Sequence, residues 1–385
     1  MIRNVTLKKA LKETVFKTIS VINKLIPKDD RLVLLYSANG GICHSLIPLR
    51  KYLLDNHFYD KYDIICGIEN LKYADNECRV CFASRLSAYM IFLRAGHVFY
   101  TAGQIPIKPS KRQCVVHLKH GNTNFKNMGK RTKINNGDEF YFTYMCATSP
   151  YFRKIMSEEY GCPENNIVVV GDPLVDQFFD PQSPVYDFSE YNKILLWLPT
   201  FRKSDYLGYD DSIEESLVPL FSESEYGEIN DYLAKHKIKL IVKIHPAQNN
   251  FGSNCRHFKF FEVYTNREFI EAGYELYPLM KQSDALVGDY SSASMQYLVT
   301  DKPQGYVIPD INEYALKRGF IFENPEDYMA GHIIKTKEDF FTFVDDIANN
   351  RDIYREKRKR VRREMYSFPD DRNCKRIIEL SGMRI

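Results

Sequence analysis

The sequence predicts an α/β fold made of two domains, each built on a parallel sheet. Short, continuous apolar runs alternate with helical segments along most of the chain, which is typical of strands covered by helices on both faces. The length of 385 residues exceeds one ordinary core and fits two domains of comparable size. A turn-rich stretch around Pro181 and Pro184 separates the two halves.

The first predicted element is a basic helix. Apolar residues in 2–26 recur near the helical spacing, lysines fill much of the remainder, and Pro27 ends the segment. An amphipathic helix of this composition can lie in a membrane interface or pack against the protein's own surface. The sequence leaves both alternatives open at this point.

Strands and helices then alternate to the end of the second half. The predicted strands are 32–36, 62–68, 98–101, 115–118, 141–146, 167–170, 194–198, 238–244, 285–287 and 305–308. The predicted helices are 43–55, 82–95, 150–160, 267–282 and 338–350. We interpret the acidic stretch 205–231 as a solvated surface segment and the basic run 351–363 as a helix.

These elements predict a GT-B-like architecture, in which two Rossmann-like domains face a cleft that binds the ligand. The boundaries expected from the sequence are a basic helix at 1–28, an N-terminal α/β domain at 29–180, a C-terminal α/β domain at 190–350, and basic C-terminal helices at 351–385 that can pack back on the N-terminal domain.

Positive charge is concentrated at the two ends of the chain. The net charge is +3, but residues 1–28 hold seven Lys or Arg against one Glu, and residues 350–385 hold twelve against six acidic residues. Basic ends on an acidic body favour contact with an anionic surface, either a membrane or a nucleic acid.

No apolar run reaches the roughly 18 residues of a membrane span. The nine cysteines are scattered and mostly flanked by apolar residues, which indicates free thiols in a reducing compartment.

The motif with the clearest chemistry is Asp289-Tyr290-Ser291-Ser292, between the strand 285–287 and a predicted helix. Two serines at such a junction offer hydroxyls beside backbone N–H groups, and the helix dipole adds positive potential. The motif therefore predicts a phosphate seat, with a plain helix cap as the alternative.

Two further strand ends carry basic groups. Lys243 and His245 close the strand 238–244, and an imidazole there can stabilise a phosphate leaving group, although a histidine in this position is often structural. Thr200 and Arg202 follow the strand 194–198, and an arginine can hold phosphate oxygens with two parallel hydrogen bonds.

In the first half, His120 and Gly121 follow the strand 115–118. The glycine lets the backbone turn, and an imidazole with an ordinary pKa of about 6.5 suits a general base.

Three more polar residues follow the strand 305–308: Asp310, Tyr314 and Arg318. All the motifs described so far lie just past strand ends, and this shared placement is a stronger indication of a site than any one motif alone.

Taken in order, these segments resemble the CDP-glycerol glycerophosphotransferase family of wall teichoic acid and capsule synthesis. The matching pieces lie between about 113 and 322 and are His120-Gly121, Gly171-Asp172-Pro173 with Asp176, Pro199-Thr200-Phe201-Arg202, His245-Pro246, Asp289-Tyr290-Ser291-Ser292, Lys302-Pro303, Asp310 with Tyr314, and Arg318-Gly319-Phe320.

The resemblance implies a GT-B fold, a CDP-glycerol or CDP-ribitol donor, and transfer without an essential metal or cofactor. It implies that His120 is the base, with His245 also catalytic. The residues implied in donor phosphate binding are Arg202, Ser291, Ser292, Thr200 and Lys243. Those implied in contacts with the nucleotide or polyol are Asp289, Asp310, Tyr314 and Arg318.

The partners implied are an undecaprenyl-diphosphate-linked saccharide or polymer as acceptor and an anionic membrane surface, with no nucleic acid. We therefore expect a cytoplasmic protein, peripheral at the inner face of the cell membrane. Alternatives are a GT-B glycosyltransferase using a nucleotide sugar and a non-catalytic protein that binds anionic polymers. The chain departs from the family's usual Trp-His-Gly-Thr-Pro wording at Lys119-His120-Gly121-Asn122-Thr123, and it lacks an arginine after Pro173.

Overall fold

The computed structural model describes residues 12–38, 40–101, 103, 105–119, 121, 123–132, 139–200, 203–204, 209–210, 216–245 and 257–385. The described chain forms two compact units. The first consists of the residues up to Gly121 together with Met128–Phe179 and Tyr366–Ile385. The second consists of Thr123–Asn127 and Asp180–Met365.

The first unit contains a parallel sheet of seven strands. In chain order they are β1 (Asp29–Tyr36), β2 (Asp63–Ile68), β3 (Cys81–Ser84), β4 (Ala95–Tyr100), β5 (Cys114–His117), β6 (Tyr144–Ala147) and β7 (Ile167–Val169). The order across the sheet is β3-β2-β1-β4-β5-β6-β7, so the direction of strand addition reverses between β1 and β4, as in a Rossmann fold.

The second unit repeats this plan with six parallel strands. They are β8 (Lys193–Trp197), β11 (Ile238–Lys243), β12 (Phe261–Tyr264), β13 (Ala285–Gly288), β14 (Gln304–Val307) and β15 (His332–Ile334). Their order is β12-β11-β8-β13-β14-β15, with the reversal between β8 and β13. A short antiparallel pair, β9 (Lys203–Ser204) and β10 (Tyr209–Asp210), stands apart from this sheet. The predicted α/β class with two Rossmann-like domains is therefore confirmed.

Helices cover both faces of each sheet. The helices of the first unit are α1 (Lys17–Asn23), preceded by a π-helical turn at Lys12–Phe16, α2 (Leu46–Asp55), α3 (Arg85–Phe92), α4 (Tyr151–Tyr160), α5 (Pro173–Asp176) and α13 (Asn373–Leu380). Those of the second unit are α6 (Tyr226–His236), α7 (Asn266–Glu271), α8 (Leu276–Gln282), α9 (Ser292–Tyr297), α10 (Ile311–Lys317), α11 (Lys337–Ala348) and α12 (Arg355–Met365). None of the helices in the described ranges is long and apolar enough to cross a membrane.

The central strands are buried on both faces, which explains why their sequences read as continuous apolar runs. In the second unit, Trp197 of β8 stacks on Phe340 of α11 at a ring distance of 5.3 Å within the main core. In the first unit, one face of the sheet packs against α2 and α13, and the other packs against α3.

Of the basic helices expected at 351–385, α13 belongs to the first unit and α12 to the second. The N-terminus of α13 is held by Asp176, whose carboxylate accepts hydrogen bonds from the main-chain N–H groups of Asn373 and Cys374 at 3.0 and 2.8 Å. Of the predicted helix 2–26, the residues before Lys12 lie outside the described residues.

The stretch 205–231 also differs from its interpretation as a surface segment. Its last six residues form the start of α6, and Tyr226 and Ile229 are buried in the core of the second unit. A capping box at Ser222 and Glu225 precedes this helix.

Candidate functional site

The floor of the candidate site is a pair of buried side chains at the carboxyl ends of β8 and β13. Asp289 accepts hydrogen bonds from the main-chain N–H and the hydroxyl of Thr200, at 2.7 and 2.5 Å. Thr200 is 4% exposed and Asp289 is 1% exposed. The two predicted site residues therefore hold neighbouring strand ends together, and both oxygens of the Asp289 carboxylate are engaged in doing so.

An aromatic cluster continues this floor toward α10. The Tyr290 hydroxyl donates to Asp310 at 2.9 Å, and its ring stacks on the buried ring of Tyr314 at 4.2 Å. Phe320 contacts both tyrosine rings. The structure thus brings Asp289, Asp310 and Tyr314 into one continuous arrangement, in which Tyr290 is the link that the sequence analysis named without a role.

The two serines of the predicted phosphate seat lie at the rim of this floor. Ser291 is the N-cap of α9, and its hydroxyl accepts a long hydrogen bond of 3.4 Å from the Ser294 N–H. Ser291 and Ser292 are half-buried, unlike Thr200 and Asp289. A side-chain Cβ at Gly288 would stand 2.1 Å from the Ser294 hydroxyl, so that this hydroxyl would have to move.

A basic rim stands at the end of β11, the other neighbour of β8. Lys243 is half-buried, its ammonium lies 5.5 Å from the centre of the Phe269 ring, and burial lowers the pKa of Lys243 to about 8. His245 follows two residues later and is half-buried. Since parallel strands share one carboxyl-terminal edge, β11, β8 and β13 bring these groups to the same edge of the sheet.

Arg318 is held by the chain segment Thr123–Asn127, which belongs to the second unit. Its Nε donates to the Asn127 carbonyl at 3.3 Å, and the Asn127 N–H donates to the Gly319 carbonyl at 3.1 Å. Lys126 and Phe320 form an isolated antiparallel bridge beside these contacts. The short stretch that follows the His-Gly motif is therefore fixed by the Arg318-Gly319-Phe320 motif.

In the first unit, β5 leads to the predicted base. His117 is buried and stacks on Tyr100 at 4.4 Å, so this histidine is part of the core. Gly121 has a φ of 108°, which agrees with the turn expected there. His120 and Arg202 both lie outside the described residues, so their predicted roles stay predictions.

The sequence analysis missed the residues that hold the end of β5. The Lys119 carbonyl accepts hydrogen bonds from the hydroxyls of Ser45, at 3.1 Å, and Thr101. The sequence did contain an indication for Ser45. Gly40 and Gly41 mark the loop between the first strand and the first following helix, which contains Ser45, and doubly wound sheets bind ligands at such loops.

Comparisons with known proteins find relatives across nearly the whole chain. The family model described as CDP-Glycerol:Poly(glycerophosphate) glycerophosphotransferase matches residues 18–380. Among solved structures, the Wall Teichoic Acid Polymerase TagF has a TM-score of 0.73 at 17% identity, covering 99% of this chain and 95% of that chain. At this identity the likeness concerns the fold.

Three curated proteins whose names refer to teichoic acid are similar to this chain. The chain is 25% identical over 262 residues to the Teichoic acid poly(ribitol-phosphate) polymerase of Bacillus spizizenii, covering 64% of this chain and 40% of that protein. It is 22% identical over 390 residues to the Teichoic acid ribitol-phosphate polymerase TarK of Staphylococcus aureus, covering 94% and 71%. It is 25% identical over 231 residues to the Teichoic acid glycerol-phosphate primase of Bacillus subtilis, covering 56% and 55%. The chain thus spans between 40% and 71% of the length of these relatives.

Proposed function

The chain belongs to the CDP-Glycerol:Poly(glycerophosphate) glycerophosphotransferase family, and from this premise we propose that it transfers glycerol phosphate, or a related polyol phosphate, from a CDP-activated donor to an acceptor hydroxyl. The acceptor is a lipid-linked saccharide or an anionic polymer of teichoic acid or capsule synthesis. The observation that carries this proposal is the family match over residues 18–380. Relatives named for glycerol phosphate and for ribitol phosphate keep both donors in the proposal.

The donor binds at the carboxyl-terminal edge of the second sheet in this proposal. Lys243 and His245 on one side of β8, and Ser291 and Ser292 on the other, supply charge and hydrogen-bond donors for a diphosphate. Arg202 is proposed to join them. The Thr200–Asp289 and Tyr290–Asp310 pairs support this role, because they keep the strand ends that carry the rim groups in fixed relative positions. Crystals of a variant of the TagF polymerase were soaked with CDPG, which fits a CDP-linked donor.

The proposed chemistry is one in-line displacement. The acceptor oxygen attacks the phosphorus that carries the polyol and forms the new P–O bond. The bond from that phosphorus to the bridging oxygen breaks, and CMP leaves with this oxygen. His120 takes the proton of the acceptor hydroxyl, while the rim groups neutralise the charge that develops on the phosphates. His120 is assigned as base from its position in the His-Gly motif.

Attachment to an anionic membrane is proposed through the N-terminal segment. Val21 and Ile22 of α1 and the following Leu25 are exposed, Leu25 by 80%, with Lys17 and Lys24 exposed beside them. An exposed apolar face flanked by lysines suits an anionic lipid surface. Wild-type protein and a Leu25→Glu variant are compared in sedimentation with anionic vesicles at low salt, where the variant is expected to lose binding. Equal binding of the two proteins would contradict this attachment.

The basic run 351–363 offers less free charge for such a surface than its composition indicated. Arg358 is fully buried and bonds to Asp301 and Asp352, with its shortest contact of 2.6 Å to Asp352. Lys357 donates to the Glu326 carbonyl and Arg360 to the Asp327 carbonyl, at 2.8 and 2.9 Å. The membrane proposal therefore rests on the N-terminal segment.

Product analysis tests the proposed function. The protein is incubated with a synthetic lipid-linked disaccharide and, in parallel, with CDP-glycerol, CDP-ribitol or a UDP-sugar. We expect mass spectrometry to find CMP and an acceptor heavier by one polyol phosphate. A sugar added from the UDP donor would instead identify a glycosyltransferase. An unchanged acceptor in every arm would leave only polymer binding and would exclude the proposed function.

A further inference from the structure

Two buried hydroxyls hold a single main-chain carbonyl at the end of β5. The Ser45 hydroxyl donates to the Lys119 carbonyl at 3.1 Å, and the Thr101 hydroxyl donates to the same oxygen. Ser45 is 0% exposed and Thr101 is 2% exposed, so water does not replace either donor. Since a carbonyl oxygen has two lone pairs, this arrangement uses both.

These donors come from two different loops of the first unit. Ser45 lies between β1 and α2, and Thr101 directly follows β4. The strands β1, β4 and β5 are consecutive neighbours in the sheet. The start of α2 and the end of β4 therefore meet at the oxygen of Lys119, which follows β5.

The main chain of Lys119 is strained where it is held. Its φ of 56° lies in the left-handed region, which costs free energy for a residue with a side chain and persists where the surroundings impose it. The side chain is fixed as well, because the ammonium lies 3.5 Å from the Glu159 carboxylate and 5.5 Å from the centre of the Tyr160 ring. Both charged side chains are buried.

We propose that Ser45 and Thr101 are positioning residues for His120. A peptide group is planar, so fixing the Lys119 carbonyl also fixes the direction in which the chain enters residue 120. The two hydroxyls thereby act on the imidazole only through the Lys119 peptide that precedes it. This inference rests on the proposed role of His120 as the base, and it gives Ser45 and Thr101 a role in turnover.

The kinetics of three variants test this role. In Ser45→Ala or Thr101→Val, one donor remains on the carbonyl, and we expect kcat to fall about threefold. In the double variant the buried carbonyl has no donor, the peptide turns, and kcat falls by about 100-fold, more than the product of the single effects. The KM for the CDP-polyol donor stays unchanged, because the donor groups lie in the second unit. Thr101→Ser keeps the hydroxyl and is expected to keep the wild-type kcat.

A matched control separates positioning from stability. Ser381 is also buried and its hydroxyl also donates to a main-chain carbonyl, that of Ile378 at 2.7 Å. Ser381→Ala should lower the melting temperature as Ser45→Ala does while leaving kcat unchanged. Equal kcat in the double variant and the wild type would overturn the proposal, and so would equal loss of kcat in Ser381→Ala. Should the double variant fail to fold, the single variants decide by the same criterion.

A crystal structure of the double variant separates this proposal from the proposed function. If the wild type transfers no polyol phosphate, the proposed function fails, and if His120→Ala transfers it at the wild-type rate, His120 is not the base. The geometric claim is then decided by Lys119 alone. A Lys119 backbone that leaves the left-handed region in the double variant supports the claim, and one that keeps its φ and carbonyl direction overturns it.

Discussion

The carboxyl-terminal edges of the two sheets bury their polar groups in different ways. In the second unit, side chains pair with side chains, as in Tyr290 with Asp310, and Asp289 also binds the main chain of Thr200. In the first unit, two hydroxyls hold one main-chain carbonyl, that of Lys119, in a strained turn. The carboxyl-terminal edge of the second sheet (the second edge) is a floor of paired, buried side chains with half-buried basic and hydroxyl groups at its rim. The carboxyl-terminal edge of the first sheet (the first edge) holds the carbonyl of the residue before the His-Gly motif.

This difference predicts where substitutions act. Changes in the floor of the second unit should alter stability first, and changes at its rim should alter donor binding. Changes at the end of β5 should alter turnover without altering donor binding.

The largest effect is expected at the first edge. His120→Ala should lower kcat by about 1000-fold, within the range for removal of a general base, while the protein stays folded. Turnover of the CDP-polyol donor, measured by CMP release, checks this. His57→Ala is the matched control, because the His57 side chain is exposed and contacts Tyr59 at the surface, and it should turn over as the wild type does. A His120→Ala variant as active as the control would remove the first edge from the chemistry.

Substitutions in the floor of the second edge should lower the stability of the protein. Asp289→Asn replaces one acceptor oxygen by an amide that faces a donor of Thr200, and we expect the free energy of unfolding to fall by about 2 kcal/mol, with activity reduced. Denaturant unfolding measures the first effect. Asp284→Asn is the control at the amino-terminal edge of the same sheet, where Asp284 accepts from the Ile194 N–H at 2.8 Å. It should lose stability and keep its kcat, whereas an equal loss of kcat in both variants would contradict a specific role for the floor.

Donor binding at the rim should depend on pH because of Lys243. Its pKa of about 8 means that the ammonium is charged below this pH and loses its charge above it. The KM for the donor should therefore rise as the pH is raised from 7 to 9, by about tenfold, and Lys243→Arg should remove this rise because arginine stays charged. Lys193→Met changes a lysine at the opposite edge, paired with Asp284 at 3.3 Å, and should keep the wild-type pH profile. A KM that does not change with pH in the wild type would exclude Lys243 from donor binding.

The smallest effect is expected at the cap of α9. Ser291→Ala removes a long capping bond and should cost about 0.5 kcal/mol of stability, yet weaken donor binding. Thr336→Ala removes the corresponding cap of α11, which also has a capping box with Asp339, and should cost stability alone. Equal donor affinity in the two variants would leave Ser291 as a plain cap.

The sequence predicted the central strands because they are buried on both faces. Continuous apolar runs such as Lys193–Trp197 and Ala285–Gly288 leave little choice of structure. The strands of the two parallel sheets that were missed are short and lie at sheet edges: Cys81–Ser84, Phe261–Tyr264 and His332–Ile334. Their pairing partners, which are remote in sequence, define them more than their composition does.

The location of several candidate residues at one edge of the second sheet could be predicted, but the pairing between them could not. Placement past strand ends selected Thr200, Asp289 and Asp310 correctly as members of one edge, yet Thr200 and Asp289 are 89 residues apart and nothing local indicates that they bind each other. For Arg358 the local sequence was misleading. It lies in a basic run that indicates surface charge, but its side chain is buried and its charge is paired with Asp301 and Asp352.

Donor binding measured by titration calorimetry tests the division of roles most directly. CDP-glycerol, or CDP-ribitol if that is the donor used, is titrated into the wild type, His120→Ala and the Lys243→Met variant at pH 7. We expect His120→Ala to bind the donor as tightly as the wild type while releasing CMP about 1000-fold more slowly, and Lys243→Met to bind the donor about tenfold more weakly. Loss of donor binding in His120→Ala together with wild-type affinity in Lys243→Met would contradict this division of roles.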